Sequence, residues 1–168
     1  VKKSAEDDFR RFVHSRWPRL LRTAYLLTGH HQDAEDLVQA ALARAYTRWE
    51  KVCGAHDQDA YVWRILINTN ADRLRRRRIG EWLTHWLPER PAADRADQVV
   101  ERSVLLDALR ALPARQRATV VLRYLEDRSE AEVAALLGTG VGTVRSQTAR
   151  ALRRLRAELP RLTASERV

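Results

Sequence analysis

SEAEVAALLG, TGVG and TVRSQTARALRRLR follow one another from residue 129 to residue 156, and this stretch decides how the chain is read. The first piece predicts a short helix. The Ser129 side chain is placed to cap it, while Glu132, three residues on, reaches back to the Ser129 N–H. Val133, Leu136 and Leu137 recur at spacings of three and four, which gathers them on one side. Gly138 stands where a left-handed closing residue belongs. The second helix carries Arg145, Arg150, Arg153, Arg154 and Arg156. This is the outline of a helix-turn-helix whose second helix is basic enough to approach DNA. In that motif the first turns of the second helix meet base edges, which selects Thr143, Arg145, Ser146, Gln147 and Arg150. Arginine reads guanine, glutamine reads adenine, and serine or threonine bonds to bases or phosphates. Arg153, Arg154 and Arg156 lie further along and suit phosphate or solvent. A helical hairpin with a solvated basic face has the same local pattern, so the other residues must separate the two.

Outward from this motif the pattern is helical almost throughout. Phe9, Phe12, Val13, Trp17, Leu20, Leu21, Ala24 and Leu27 recur at helical spacing, so residues 5–28 read as one amphipathic helix. Ser4 with Asp7 is its candidate capping box, Pro18 is a point where it bends or splits, and Thr28-Gly29 ends it. Residues 33–49 read as a second helix with acids in its first turn, residues 50–59 as a polar loop, and residues 60–78 as a third helix. Between 79 and 98 the composition shifts to Gly80, Pro88, Pro91 and acidic residues, the signature of a linker. Helical pattern resumes over 99–111, breaks at Leu112-Pro113, and runs from 114 to 126 into the helix-turn-helix. Pro160 is expected to close the last helix. The fold class is therefore all-α, with two small helical domains, residues 1–78 and 99–168, joined by a flexible linker at 79–98.

The 168 residues carry a formal charge of +9, with 45% hydrophobic residues. That is enough apolar material for real cores. The charge favours polyanionic partners, though a ribosome-associated or membrane-surface protein would show it too. The lone cysteine, Cys53, forms no internal disulfide and reads as a partly buried thiol. No apolar run approaches the roughly 20 residues of a membrane span, and VKKSAEDDF lacks a signal peptide's hydrophobic region. The expected location is the cytoplasm, without membrane insertion.

A second basic feature separates the alternatives. Arg73 and Arg75–Arg78 place five arginines in six positions at the end of the third helix. Cations are favoured at a helix C-terminus, but this density repels itself unless a polyanion neutralises it. Tyr61, Trp63, Asn68 and Asn70 precede the block. Exposed aromatics beside a basic stripe stack on unpaired bases, and the 50–59 loop offers a place for an extruded base; the competing role for Trp63 is core packing. The acids Asp33, Glu35 and Asp36 suit a helix start. With His30 and His31 they match no firm metal-ligand spacing. No phosphate-binding glycine loop or nucleophile–base pair is visible, so neither metal, cofactor nor enzymatic activity is expected. A helix-turn-helix repressor with a sensing domain would be expected to lack the arginine block and to dimerise on a palindrome.

Four segments, in order, resemble the sigma factors of bacterial RNA polymerase, specifically the compact extracytoplasmic-function group of the sigma-70 family. AEDLVQAALARAY at 34–46 is similar to region 2.2, which docks on the clamp helices of the β′ subunit. AYVWRILINTNADRLRRRR at 60–78 is similar to regions 2.3–2.4, which melt and read the −10 element. ALPARQRATVVLRYLEDRSEAEVAALLG at 111–138 looks like region 4.1 leading into 4.2, and GTVRSQTARALRRLR at 142–156 looks like the −35 reading helix. The opening FVHSRWPRLLRTAYLLTGHHQDAEDLVQ is especially similar to the actinobacterial SigE-like subgroup.

The resemblance implies a promoter-specificity factor whose partners are core RNA polymerase (β′ clamp helices and β flap), promoter DNA and an anti-sigma factor. It implies that Asp36, Leu37 and Gln39 face polymerase. The −10 strand falls to Asn68, Asp72, Arg75, Arg76 and Arg77, joined by Trp63 from the stacking argument. The −35 duplex falls to Thr143, Arg145, Ser146, Gln147 and Arg150, and the acidic linker threads toward the RNA exit path. Five positions depart from the family pattern. Gly140 sits where serine often caps the reading helix, and Thr139 and Val141 exchange the usual apolar and polar characters. Arg128 replaces an apolar residue before Ser129, weakening the hydrophobic staple, and Thr148 replaces an apolar residue.

Overall fold

The computed structural model describes residues 2–84 and 104–165, with side chains described over 4–83 and 104–161. Among these residues every regular element is helical. The N-terminal half consists of α1 (Lys2–Thr28), α2 (His31–Tyr46), the short α3 (Trp49–Cys53) and α4 (Gln58–Thr84). The C-terminal half consists of α5 (Val104–Arg110), α6 (Ala114–Val120), a single π-helical turn (Val121–Leu125), α7 (Glu130–Leu137) and α8 (Val141–Ser165).

The helical periods predict the buried faces. Leu20, Ala24 and Leu27 of α1 meet Ala34, Leu37, Val38, Ala41 and Leu42 of α2, and Val62, Ile65 and Leu66 of α4 close the bundle. Each buried Leu, Ile or Val among these contributes about 1.5–3 kcal/mol, and each alanine less, before the entropy of ordering is subtracted. Leu109, Leu112, Val121, Leu122, Val133, Val144 and Ala151 form the other centre, where α5, α6 and α7 pack on α8. The two centres belong to one continuous apolar cluster.

Several boundaries differ from those expected. Pro18 does not split α1, which runs unbroken from Lys2 to Thr28. It lies on the exposed face, where the carbonyl that loses its donor, that of His14, is open to solvent. Helix α1 begins at Lys2, which puts Ser4 inside it rather than at its cap. The 50–59 segment is partly helical, because α3 runs to Cys53, and Cys53 is exposed rather than partly buried. Helix α4 runs through Gly80 to Thr84, into the first residues of the expected linker; residues 85–98 lie outside the described ones. The 114–126 helix changes to π geometry at Val121, with Glu126 N–H donating to Val121 O at 3.0 Å. Pro160 lies inside α8, which continues to Ser165.

The halves meet through polar groups at the end of α1. Glu126, delivered by the π turn, is 5% exposed. Its carboxylate accepts from the hydroxyl of Thr23 and, at 2.9 Å, from Nε of Arg19. Arg117 donates to Leu27 O at 2.9 Å, and Arg110 Nε donates to Gly29 O at 2.9 Å. Leu27 lies in the last turn of α1 and Gly29 just past its end, where carbonyls have no partner within the helix. Gly29 is needed twice over. Its φ is +79°, and a Cβ there would lie 2.8 Å from Arg110 Nε. Arg128 approaches Asp57 at 3.7 Å, and Arg64 reaches Ala135 O at 3.5 Å, so α7 is held beside α4.

E126Q keeps the shape of the side chain but removes the charge that Arg19 meets. It should weaken the contact between the halves by about 1–2 kcal/mol, read as faster amide exchange along α7 and a lower denaturation midpoint. Unchanged exchange would show that the ion pair contributes nothing to the contact.

Candidate nucleic-acid and polymerase interface

The helix-turn-helix is built by local rules. Ser129 has the extended conformation of a cap (φ −65°, ψ 161°). Its hydroxyl accepts from Glu132 N–H at 3.1 Å, and its own N–H donates to Glu132 Oε2 at 2.7 Å. Gly138 is left-handed at φ 62°, and Thr139 N–H closes on Ala134 O at 3.0 Å, a Schellman bond. Asp127 also has positive φ, at 52°, which aspartate tolerates better than most residues. Helix α8 starts after Gly140, whose carbonyl receives Val144 N–H at 3.1 Å. The hydrophobic staple is replaced by charge: Arg128, 14% exposed, pairs with Glu132 at 3.2 Å. Thr148 satisfies itself by donating to Val144 O at 2.8 Å.

Val144 and Ala151 turn α8 toward the core. That leaves Thr143, Arg145, Ser146 and Arg150 exposed and Gln147 half-buried, with Arg153, Arg154 and Arg156 continuing the exposed basic face. Arg145 differs from its neighbours, because its Nε donates to Glu130 Oε2 at 2.7 Å. Sequence reading had no means of finding Glu130, since the pair spans the turn.

On α4 the −10 candidates divide. Asn68, Arg75, Arg76 and Arg77 are exposed. Trp63 is not available for stacking in this arrangement. It is 3% exposed, with the Arg19 guanidinium 5.6 Å from its ring centre; core packing, the competing role, is what the structure shows. Asp72 is tied to Arg44 Nη1 at 2.9 Å and also to Arg75. The Arg44 hydrogen bond, then Arg75, holds its carboxyl below the ordinary carboxylate range. The arginine block is also less uniform than its sequence. Arg73 folds back to Asp33 at 3.2 Å, and Arg77 approaches the same carboxylate at 3.8 Å. A second feature was missed because α4 was read as too short. Asn68, Ala71, Arg75, Arg78 and Trp82 form one exposed stripe at spacings of three and four.

Among the polymerase candidates, Asp36 and Gln39 are exposed on α2, whereas Leu37 is 1% exposed. Leu37 follows the apolar period of α2 and packs in the core. Asp36, Arg44, Asp72, Arg76 and Arg77 line one open groove of about 440 Å³ between α2 and α4. Residues selected for polymerase and for the −10 strand are therefore neighbours. Among the described residues, no group of three or more His, Cys, Asp or Glu side chains is arranged to hold a metal. No described helix is long and apolar enough to cross a membrane.

Comparison with known proteins matches the same segments. The family Sigma-70 region 2 matches residues 12–79, and Sigma-70, region 4 matches residues 102–155. The RNA polymerase sigma-E factor of Streptomyces coelicolor is 45% identical over 152 residues, covering 90% of this chain and 86% of that protein. The ECF RNA polymerase sigma factor SigL of Mycobacterium tuberculosis is 34% identical over 149 residues, covering 85% and 84%. The chain belongs to the extracytoplasmic-function group of RNA polymerase sigma factors. The fold agrees. The sigma factor RpoE from Bartonella quintana, solved with the anti-sigma factor NepR, aligns with a TM-score of 0.74 at 27% identity, over 91% of this chain and 97% of that one. As a sigma factor the chain binds core polymerase and promoter DNA and confers promoter-specific initiation.

The capping box sets a pH dependence on the base of the reading unit. The Ser129 N–H, then its hydroxyl, then Arg128 lower the pKa of Glu132. A carboxylate with a depressed folded pKa stabilises fully above its unfolded value and loses that contribution as pH falls through the folded one. Acidification should therefore fray the first turn of α7, seen by NMR as a lower protection factor for the Ser129 amide. E132Q should flatten that dependence, and an identical acid response in E132Q would refute the assignment.

Proposed function

We propose that this sigma factor divides promoter reading between its halves. Residues 1–78 bind polymerase and capture the −10 strand, residues 79–98 connect the halves, and residues 99–168 read the −35 duplex. The observation that carries this is one chain presenting two exposed arginine-bearing helices, α4 in its N-terminal half and α8 in its C-terminal half. Asp36 and Gln39 face the β′ clamp helices, and the C-terminal half faces the β flap. Asn68, Arg75, Arg76 and Arg77 contact the displaced strand, with Asp72 holding Arg75. Thr143, Arg145, Ser146, Gln147 and Arg150 contact the duplex.

Duplex contacts of this kind are salt-dependent and cheap to form at any sequence. Bases that leave the stack cost a few kcal/mol each, which arginine and aromatic contacts offset. Helix α7 lies beside α4 in the present arrangement, so the halves part when both elements are engaged. The chain makes and breaks no bond, and it works in the cytoplasm with polymerase. An anti-sigma factor restrains it, by analogy with the NepR complex of its structural neighbour.

Added to core polymerase, the protein should give transcription from a selected promoter, and a pull-down from native cytoplasm should recover polymerase and the inhibitor. Failure to bind core polymerase would overturn the reading. R145A should lower discrimination at one −35 position by about fivefold or more while leaving polymerase binding intact; equal loss on every −35 sequence would assign Arg145 to phosphate.

A further inference from the structure

Arg145 rises from the first turns of α8, and Glu130 opens α7 on the other side of the turn. We propose that Glu130 is a positioning residue for base reading, one that grips Arg145 by Nε and presents its terminal nitrogens to a guanine of the −35 duplex. The proposal rests on the −35 assignment of α8 and names what gives that helix its selectivity.

The geometry is specific. An arginine carries five N–H donors in a planar fork, one on Nε and four on the two Nη atoms. The Glu130 carboxylate meets Nε at 2.7 Å, and the Arg145 side chain stays 69% exposed. Among the described residues neither Nη atom of Arg145 makes a hydrogen bond. The Nη edge can meet guanine O6 and N7 in the bidentate pairing that defines arginine readout. Arg150, Arg153 and Arg154 of the same helix make no ion pair among the described residues, so their side chains remain free to swing to phosphates.

The difference is physical. A free arginine finds the nearest phosphate at almost any sequence, and that contact carries no base information. An arginine fixed at Nε has lost much of its rotamer freedom before DNA arrives, so less is lost on binding. The carboxylate also repels phosphate, which lowers affinity for all sequences alike. The oriented fork favours one base only. Together the two effects convert affinity into specificity. Glu130 keeps a helix-start position where an acid is favoured, and the cap itself belongs to Ser129 and Glu132.

The test uses the full chain assembled with core polymerase, carrying E130Q, E130D, R145A or E130Q with R145A. Affinity is measured for the matched promoter, for each single −35 substitution and for unrelated duplex at one salt concentration. E130Q should lose about three- to tenfold of the discrimination at the position where R145A acts. Its affinity for unrelated duplex should be equal or higher, E130D should restore part of the discrimination, and E130Q should add nothing to R145A. Two results would overturn the clamp. One is full discrimination in E130Q; the other is an equal E130Q effect with and without Arg145, which marks a structural ion pair. If R145A has no position-specific effect, the −35 assignment of Arg145 itself fails. A selective R145A beside an indifferent E130Q removes the clamp alone.

Discussion

The end of α1 is where the two halves of this sigma factor become one body. The carbonyls of Leu27, in its last turn, and of Gly29, just beyond it, are taken by Arg117 and Arg110, and Thr23 with Arg19 holds the buried carboxylate of Glu126. A helix C-terminus attracts cations and needs donors, and here both come from the other half of the chain. Arg117 has no carboxylate partner among the described residues; it donates to carbonyls of Leu27, Arg110 and Leu112. Burial, then the charges of Arg110 and Arg73, lower its pKa. Such a contact is directional and polar. It fixes an orientation while leaving groups that water can satisfy when the halves separate, as inter-domain contacts within a chain commonly do.

The charges of the two arginine-bearing helices, α4 and α8, are organised differently. On α4 the arginines interleave with carboxylates that belong to the bundle. Asp33 holds Arg73, and Asp72 joins Arg44 to Arg75. The helix therefore stays continuous through a sequence that would otherwise repel itself. On α8 the basic face is open, and Arg145 alone of its first arginines is gripped from across the turn. A uniformly basic surface gives attraction to any nucleic acid. Selectivity requires that some of those side chains be held in place, which is the role proposed for Glu130 toward Arg145.

The helix-turn-helix was legible residue by residue, because its signals act within a few positions. Ser129 and Glu132 cap each other, Gly138 takes the left-handed cap, and apolar spacing turns Val133 and Leu136 inward. Leu37, which resemblance drew into the polymerase set, proves to lie on the buried face of α2. Trp63 is a second case: its residue type suits stacking, but its place on α4 puts it under Arg19. Prolines and glycines misled at Pro18, Gly80 and Pro160, where helices continue. A single residue's preference is small beside the packing of a long amphipathic face.

Local order in this chain was thus written in the sequence: an all-helical build, the capped turn, the basic reading face and the arginine block of a sigma factor. Those features depend on spacings of three or four residues, which a linear reading contains. The contacts that join Glu126 to Arg19, Arg110 to Gly29, Arg117 to Leu27 and Glu130 to Arg145 span between 15 and 107 positions. Which carboxylate meets which arginine over such distances follows from the packing of helices and from where the π turn delivers Glu126. A chain with this many interchangeable charges does not disclose those pairings until the fold brings them within hydrogen-bond reach.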